Sequence, residues 1–519
     1  MTPTGETTTM TREFTMRRFL FAAVFAASLL PGLAGAQQQS NAVTWGFASE
    51  IETLDPYATS KRTSQLVIRN VLENLAVRDP ATGQAKPALA TAWRWIDTTT
   101  LHLELRRGVT FHDGSPFGAD DVVYTVEYIK NPANNASFAK ADYGFIRKAE
   151  KLDDHTLRLV LEQPTPSAVD QLTQVLFILP KATHEKMGAR AFAAAPVGTG
   201  PMKVEKFEAG RGVTLVRNDR YYAADWGRTR LDRINVVVIP DPQTASAELA
   251  AGKVDFLWNI QPDQLMQLKM ARNVETATGG SVSISFLSLD AAGRTGTNPM
   301  QDRNVRMAIA HAIDRQAIAK TLRGESSEVI PTPCNPRQFG CIQDVVKYDY
   351  NLAKARELMA KSSVPRGFEL KIAAFTDSGP VAEAIAGDLR QIGIDAKLDF
   401  RETSSWIRDL FGGKLVSSIV PWPSNGVYDV VAMVPLFFTG DQGDYTRDPV
   451  VMDAFKQAAA LVDPQERLKL YRTGFERLAA ESYVVPLMSG VTHFAYRRGF
   501  DFPLPADGYP LLYMAGWKR

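Results

Sequence analysis

Residues 105–122 read LRRGVTFHDGSPFGADDV and place the end of a strand, a tight turn and the start of a helix in close succession. Just before this stretch, residues 101–105 alternate leucine with polar side chains, which predicts a half-buried strand. Asp113 and Gly114 supply the turn chemistry of a hairpin. From Ala119 to Lys130 apolar residues recur at helical spacing, so we expect a helix there.

Short strands and helices alternate along the rest of the chain. Residues 156–161 predict another alternating strand. Asp302 caps the clearest predicted helix, which we expect to run from Asp302 to Leu322. A strand at 368–375, a helix at 381–391 and a strand at 396–400 predict a βαβ unit with parallel pairing. The sequence therefore indicates an α/β protein with one β-rich insertion near the N-terminus.

The composition limits both the size of the domains and the kind of partner. The chain has 519 residues, of which 45% are apolar, so we expect two or three domains rather than one core. With 59 basic and 57 acidic side chains it is nearly neutral, which argues against binding to nucleic acid or to an anionic membrane surface. After the N-terminal segment no apolar run approaches the length of about 18 residues that predicts a membrane span.

The N-terminal segment has the order of an export signal. Arg17 and Arg18 precede an apolar run from Phe19 to Leu30, and small residues follow. We expect cleavage after Ala36, which releases a mature chain beginning at Gln37. The apolar run of about 12 residues is too short for a spanning helix, although an uncleaved anchor is the alternative. Twin-arginine export and ordinary secretion are both compatible with the two arginines.

Cys334 and Cys341 are the only cysteines and lie in one turn-rich loop. In an exported chain they predict a disulfide. The enclosed loop is short, so its stabilisation should be about 2–3 kcal/mol. A metal-binding pair is the alternative, but it needs further ligands, and no histidine is close in sequence.

Motifs typical of catalysis or of a resident metal are absent from the sequence. His112-Asp113-Gly114 is explained by turn chemistry. Gly198-Thr199-Gly200-Pro201 lacks the Lys-Ser/Thr end of a P-loop, so we interpret both motifs as structural. The six histidines do not pair at metal-ligand spacing, and neither a Gly-x-Ser-x-Gly elbow nor a His-Glu-x-x-His helix occurs. We expect no enzyme activity, no cofactor and no metal.

Several motifs, in this order, resemble one known family. The stretch 105–122 is the most specific of them. The others are Leu54-Asp55-Pro56, Glu73-Asn74-Leu75, Pro87-Ala88-Leu89-Ala90, Val197-Gly198-Thr199-Gly200-Pro201, Asn218-Asp219-Arg220-Tyr221-Tyr222 and Asp302-Arg303-Asn304-Val305-Arg306. Across essentially the whole mature chain, the sequence is similar to the extracellular solute-binding proteins of family 5. These are the periplasmic receptors of peptide- and nickel-type ABC importers.

The resemblance implies a two-lobed periplasmic-binding-protein fold (type II-like) with an extra β-rich domain. Lobe one would comprise residues 37–84, 197–279 and 486–519. The inserted domain would comprise 85–196, and lobe two 280–485. Such a protein would close on its solute like a hinge and deliver it to membrane permease subunits in a Gram-negative bacterium. We expect a monomer.

The segment around Trp422 is where the resemblance bears on ligand choice. Peptide binders of the family commonly have a Trp and, three residues later, an Asp that holds the peptide's α-ammonium. Here Asn425 stands at the matching position, and an amide accepts a hydrogen bond but brings no charge. Because a buried ammonium needs a charged partner, a ligand with a free α-amine is less certain. Asp429 is the alternative carboxylate if the loop is shifted.

Aromatic side chains near this segment are candidates for an apolar wall of the binding cleft. Trp422, Trp406 and Tyr428 are the ones we assign to it, with core packing as the alternative. From the opposite lobe we add Trp258 and Asn259, in a region where the family often contacts ligand.

Arg401 and Arg408 lie in the same part of the sequence as Trp406. Either is suited to bind a ligand carboxylate, and an ordinary surface ion pair is the alternative for each. The expected solute is a short peptide or a peptide-like compound. Within the family the alternatives are a nickel chelate, an opine or an oligosaccharide, and outside it an exported hydrolase, a chaperone or a sensor.

Overall fold

Strands and helices alternate along the chain, as the sequence predicts for an α/β fold. The computed structural model describes residues 41–518 apart from 60, 135, 137–142, 175, 223–228 and 324–326, so the predicted signal at 1–36 lies outside the described residues. The strands are β1 (Ala42–Phe47), β2 (Ala76–Arg78), β3 (Ala85–Pro87), β4 (Ala90–Asp97), β5 (Thr100–Leu105), β6 (Ile146–Asp153), β7 (Thr156–Leu161), β8 (Met202–Glu208), β9 (Gly212–Arg217), β10 (Arg233–Val238), β11 (Phe256–Trp258), β12 (Val274–Leu289), β13 (Phe368–Phe375), β14 (Ile394–Arg401), β15 (Ser417–Trp422), β16 (Val484–Arg497), β17 (Phe500–Asp501) and β18 (Gly516–Trp517).

The described α-helices connect these strands. In chain order they are α1 (Arg62–Ile68), α2 (Ala119–Lys130), α3 (Ala168–Gln171), α4 (Lys181–Met187), α5 (Ala189–Ala194), α6 (Pro242–Ala250), α7 (Pro262–Leu268), α8 (Arg303–Ala312), α9 (Arg315–Arg323), α10 (Leu352–Ala360), α11 (Gly379–Arg390), α12 (Thr403–Phe411), α13 (Val434–Phe438), α14 (Pro449–Ala460) and α15 (Pro464–Ala480).

One ten-stranded sheet connects the two halves of the molecule. Its order is β14-β13-β15-β12-β16-β11-β1-β10-β9-β8. The two longest strands, β12 and β16, pair antiparallel near its middle, and their register shifts between Gly280 and Ile284. The residues assigned to lobe one and lobe two therefore meet across this pair of strands.

The predicted βαβ unit is confirmed. β13 and β14 pair in parallel, with Phe368 opposite Ile394, and α11 lies between them in sequence. Buried apolar side chains of β13, α11 and β14 belong to one core, including Ile372, Ile385 and Ile394. Burial of these aliphatic side chains, which come from two strands and one helix, stabilises the unit.

The single helix predicted from Asp302 to Leu322 is wrong, because the chain forms two helices, α8 and α9. Ile313 adopts an extended conformation with ψ 117° and ends α8. Asp314 then starts α9, since its carboxylate accepts a hydrogen bond from the Ala317 amide at 3.0 Å. An aspartate that caps a second helix competes with helix continuation, which the apolar periodicity alone does not show.

The insertion forms a four-stranded sheet of order β4-β5-β7-β6. The alternating leucines of β5 are buried in the same core as Trp45 of β1. In the turn that follows, both ring nitrogens of His112 are engaged by the backbone, Nδ1 by the Gly198 amide at 3.2 Å and Nε2 by the Gly200 carbonyl at 2.9 Å. The turn thus connects the β-rich segment to the 198–200 loop, in agreement with its structural interpretation.

Cys334 and Cys341 form a disulfide with Cα atoms 5.6 Å apart, as the sequence predicts. No helix among the described residues is long and apolar enough to cross a membrane. The same residues contain no group of three or more His, Cys, Asp or Glu side chains placed to hold a metal ion.

Glu73 lies inside a network of hydroxyl groups near the junction of the insertion. Its Oε1 atom accepts hydrogen bonds from Tyr221 at 3.0 Å and Tyr222 at 2.8 Å, and its Oε2 atom is buried. Burial raises the pKa of Glu73 to about 7. Between its ordinary pKa of 4.5 and about 7, the folded chain keeps a proton that the unfolded chain has lost.

Replacing Glu73 with Gln should change how stability depends on pH. The stability associated with the protonated carboxyl is fully present below pH 4.5 and is lost as pH rises through about 7. The free energy of unfolding of Glu73→Gln relative to wild type should therefore increase by up to about 3 kcal/mol across this window. Urea denaturation at several pH values measures it. Parallel curves would disprove the buried-carboxyl account.

Candidate functional site

A cleft with a volume of about 580 Å³ lies where strands from the two halves of the sheet end. Asn259 directly follows β11 on one side. Phe375 and Arg401 are the last residues of β13 and β14 on the other side, and Pro421 is next to the last of β15. Ligands of α/β proteins characteristically bind outside the carboxyl ends of strands. The cleft therefore has the position expected of a ligand site.

Trp258 and Asn259 are adjacent in the chain, but their side chains have different environments at this end of the cleft. Asn259 is exposed to the cleft and has a positive φ of 56°, which is unusual for a residue other than glycine. The indole N–H of Trp258 donates to the Gly508 carbonyl at 2.7 Å, and its ring lies 6.0 Å from that of Tyr509. Asn259 thus lines the cleft while Trp258 supports it from behind.

Arg401 lines the opposite wall, whereas Arg408 does not. Arg401 is paired with Asp399 at 2.6 Å and also with Asp409, and the hydrogen bond that it donates to Asp399 raises the pKa of Arg401. Arg408 is 70% exposed and lies 3.8 Å from Asp409. Arg401 is therefore a charged cleft residue already held by carboxylates, and Arg408 lies on the outer surface.

Trp406 is almost completely buried, with 5% of its surface exposed. Its indole N–H donates to Ser418 Oγ at 2.8 Å, and its ring packs 4.6 Å from that of the cleft residue Phe375. Trp406 therefore supports the cleft wall from the core and does not itself line the cavity.

Trp422 ends β15 and begins the turn that contains the candidate ligand residues Asn425 and Tyr428. Its ring meets the ring of Phe437 edge-on at 5.2 Å, and its indole nitrogen is buried. Ser424 is buried with a positive φ of 50°, a strained conformation of the kind that clusters at ligand sites. The side chain of Asn425 lies outside the described residues.

Tyr428 connects this turn to the N-terminal part of the chain. Its backbone amide donates to Asp170 Oδ2 at 2.6 Å, and the Arg78 guanidinium lies 4.5 Å from its ring centre. Gly83 packs directly against the ring, so that a Cβ there would stand only 2.2 Å away. Tyr428 is therefore a contact between residues assigned to lobe two and residues assigned to lobe one and the insertion.

Asp429, the alternative carboxylate, points away from the cleft. It forms an ion pair of 2.7 Å with Arg467, and both side chains are less than a tenth exposed. Its Oδ1 atom also accepts the Val431 amide at 2.9 Å. A carboxylate held in this way neutralises a buried arginine and is not available to a ligand.

Residues near the turn that the sequence analysis missed are Arg62, Arg69, Gln174 and Tyr509. The Arg62 guanidinium lies 4.5 Å from the Tyr509 ring, and Arg69 donates a hydrogen bond to Gln174. The Gln174 side chain in turn lies 3.3 Å from where a Cβ of Gly426 would stand. Two arginines seven residues apart, with no acidic residue between them, are the only sequence signal that points to this group.

Comparison with models of known protein families identifies the family of this chain. The family model of bacterial extracellular solute-binding proteins, family 5, matches residues 84–445. The chain belongs to this family. Family 5 members are solute-binding proteins of ABC importers, and the α/β fold with its β-rich insertion agrees with that assignment.

Proteins similar to this family 5 protein include binders of different solutes. The glutathione-binding protein GsiB of Salmonella choleraesuis is 28% identical over 92% of this chain and 94% of its own. The structure of HbpA2 from Haemophilus parasuis has a TM-score of 0.82 at 23% identity, over 92% of this chain and 100% of its own. The structure of AgaA from A. tumefacien R10, in complex with agropinic acid, has a TM-score of 0.72 at 25% identity, over 92% and 99%.

Removing the Asp429 carboxylate should destabilise the fold. Asp429→Asn leaves Arg467 as an unpaired buried charge, and breaking such a pair typically costs about 3–5 kcal/mol. Chemical denaturation of the variant measures the loss. Asp344→Asn, at a position whose side chain is 98% exposed, should change stability by no more than about 0.5 kcal/mol. Equal stability of Asp429→Asn and wild type would contradict the structural role.

Proposed function

We propose that this family 5 protein is a periplasmic receptor that captures a short peptide or peptide-like solute in the 580 Å³ cleft and delivers it to an ABC permease. The observation that carries the proposal is the cleft itself, since its walls come from residues assigned to both lobes. Its volume falls within the range of about 300–1,000 Å³ typical of small-solute sites. The protein binds without changing its solute chemically.

The peptide class is supported by the similarity to a glutathione-binding protein over nearly the whole chain. A non-peptide solute is the second candidate, because a similar structure contains agropinic acid. Both are small polar molecules, and the cleft walls offer Asn259, Arg401 and Glu402 as polar contacts.

Closure would occur by bending of β12 and β16 where the register shifts near Gly280. In this proposal lobe one comprises 37–84, 197–279 and 486–519, the insertion 85–196 and lobe two 280–485. Tyr428, Arg78 and Asp170 then form contacts that exist only in the closed state. Solute binding shifts the balance between open and closed forms.

Solute capture should be measurable as stabilisation and compaction. In a thermal-shift screen of glutathione, di- and tripeptides and agropinic acid, a solute at 100 times its dissociation constant should add about 2.7 kcal/mol to the stability of the folded state. Small-angle scattering should show a smaller radius with that solute. Asp377→Trp, which fills the cleft from an exposed position on its wall, should weaken binding at least tenfold.

The matched control for this variant is Asp344→Trp, which adds the same ring at an exposed position away from the cleft residues. It should leave the affinity unchanged. Stabilisation by agropinic acid but by none of the peptides would replace the peptide proposal with a non-peptide one. Equal binding by Asp377→Trp and wild type would place the site elsewhere.

Export should leave a defined N-terminus. Expression of the full chain in a Gram-negative host should yield periplasmic protein whose intact mass corresponds to a chain beginning at Gln37. The Cys334–Cys341 disulfide fits an oxidising compartment. An intact mass that includes residues 1–36 would contradict cleavage, and the elution volume of the mature protein tests whether it is a monomer.

A further inference from the structure

A group of polar side chains lies near the turn Ser424–Gly426 and beside a cavity of about 50 Å³. We call Arg62, Arg69, Gln174 and Tyr509 the arginine cluster. Arg69, Gln174 and Tyr509 line the cavity, and Gln174 meets the turn at Gly426. The cavity has room for one end group of a solute, not for a whole solute.

Unused hydrogen-bond donors concentrate around this turn. Six polar atoms near it are buried without a hydrogen-bond partner in the described part of the chain: Arg69 Nε, Arg78 Nε, Gln174 Nε2, Trp422 Nε1, Ser424 Oγ and Tyr428 Oη. The four nitrogens can only donate, and the two hydroxyls can donate as well. Buried donors are nearly always paired in folded proteins, so this concentration calls for an acceptor that is not part of the chain.

The charges of the arginine cluster are also unbalanced. The Arg62 and Arg69 guanidinium groups lie 4.5 and 5.8 Å from the Tyr509 ring centre, and no described carboxylate lies within 4.0 Å of either. The nearby carboxylates have other partners. Asp170 pairs with Arg78 at 2.7 Å, and Asp79 accepts the amides of Ala81 and Thr82 at 2.9 Å each. Asp507 lies 3.8 Å from Arg78, accepts the Tyr509 amide at 2.9 Å and acts on Arg69 only from beyond ion-pair distance. Burial, together with the charge of Arg62, lowers the pKa of Arg69 to about 10.

The cluster adjoins the cleft on both of its walls. Tyr509 packs against Trp258, and the next residue, Asn259, lines the cleft. On the other wall Pro421 lines the cleft and the next residue is Trp422. The arginine cluster is therefore separated from each cleft wall by a single side chain, Trp258 on one wall and Trp422 on the other.

We propose that the arginine cluster and the turn 422–428 bind an anionic, acceptor-rich end group of the solute, a carboxylate or a phosphate. The inference rests on the proposed function, because it assigns a chemical class to the solute of the same cleft. Such a group accepts the unused donors and neutralises the two arginines at once. Water alone is the competing occupant, since the cavity is also lined by Glu73 and Asn74, whose unpaired oxygens can bind it.

The experiment compares three probes with amidated C-termini, which differ only at the N-terminal end: N-succinyl-Ala-Ala-NH2, N-acetyl-Ala-Ala-NH2 and Ala-Ala-Ala-NH2. Titration calorimetry on the mature protein should give at least tenfold tighter binding of the succinylated probe, which carries a carboxylate where the others carry a neutral group or an ammonium. Gln174→Glu places a permanent carboxylate beside Arg69 and should weaken that binding at least tenfold without lowering the unliganded melting temperature. Gln267→Glu adds the same charge at an exposed position of α7 and should change nothing.

Each outcome decides the inference. Tighter binding of the acetylated or free-amine probe, or an unchanged affinity of Gln174→Glu, overturns it while leaving peptide capture in place. If none of the three probes binds, peptide capture fails for them, and thermal shifts with citrate, succinate and inorganic phosphate against sodium chloride at equal ionic strength test the cluster alone. A shift that is present in wild type and lost in Gln174→Glu supports the inference, and the effective anion separates carboxylate from phosphate. Equal melting temperatures in all salts overturn it.

Discussion

The pairing of β12 with β16 is the constraint on which the rest of the structure depends. These strands of 16 and 14 residues are the only long ones in the described sheet, and each contributes to both halves of the molecule. At the register shift the Ser283 side chain packs against the backbone of Gly490, where an added Cβ would stand 1.8 Å from Ser283 Oγ. Small residues at this point allow the two strands to remain paired while the ladder is interrupted, and an interrupted ladder bends more easily than a regular one.

The position of the cleft follows from this pairing. β11 joins the sheet beside the C-terminal part of β16, and β15 joins it beside the C-terminal part of β12. Because β12 and β16 run in opposite directions, the carboxyl ends of β11 and β15 face each other near the register shift. Asn259 and Pro421, from distant parts of the sequence, consequently line the same cavity. The topology thus produces a site between two sets of strand ends without requiring any single motif for it.

The sequence predicted the elements with strong local signals and some of the cleft. The helix Ala119–Lys130 has the predicted bounds because it combines an apolar stripe with a defined N-terminus. The break at Asp314 was missed because a capping aspartate inside an apolar repeat looks like an exposed helix residue. Of the residues predicted to contact a ligand, Asn259 and Arg401 line the cleft, whereas Trp406 is a core residue. No local pattern distinguishes a tryptophan that lines a cavity from one that supports its wall.

Two buried arginines illustrate why the remaining site residues were beyond sequence reasoning. Arg467 has a carboxylate partner, Asp429, at 2.7 Å, and the two buried charges neutralise each other. Arg69 donates a hydrogen bond to the neutral Gln174 and lies beside the Tyr509 ring, and among the described residues no carboxylate lies within 4.0 Å of it. Both are ordinary arginines within helical sequence, and the difference between them is set by residues that are far away along the chain. A charge that the fold buries without neutralising it is costly, so it indicates a function that depends on an external partner. The contrast between a paired and an unpaired arginine in one molecule therefore separates the side chains that hold the fold together from those available to a solute.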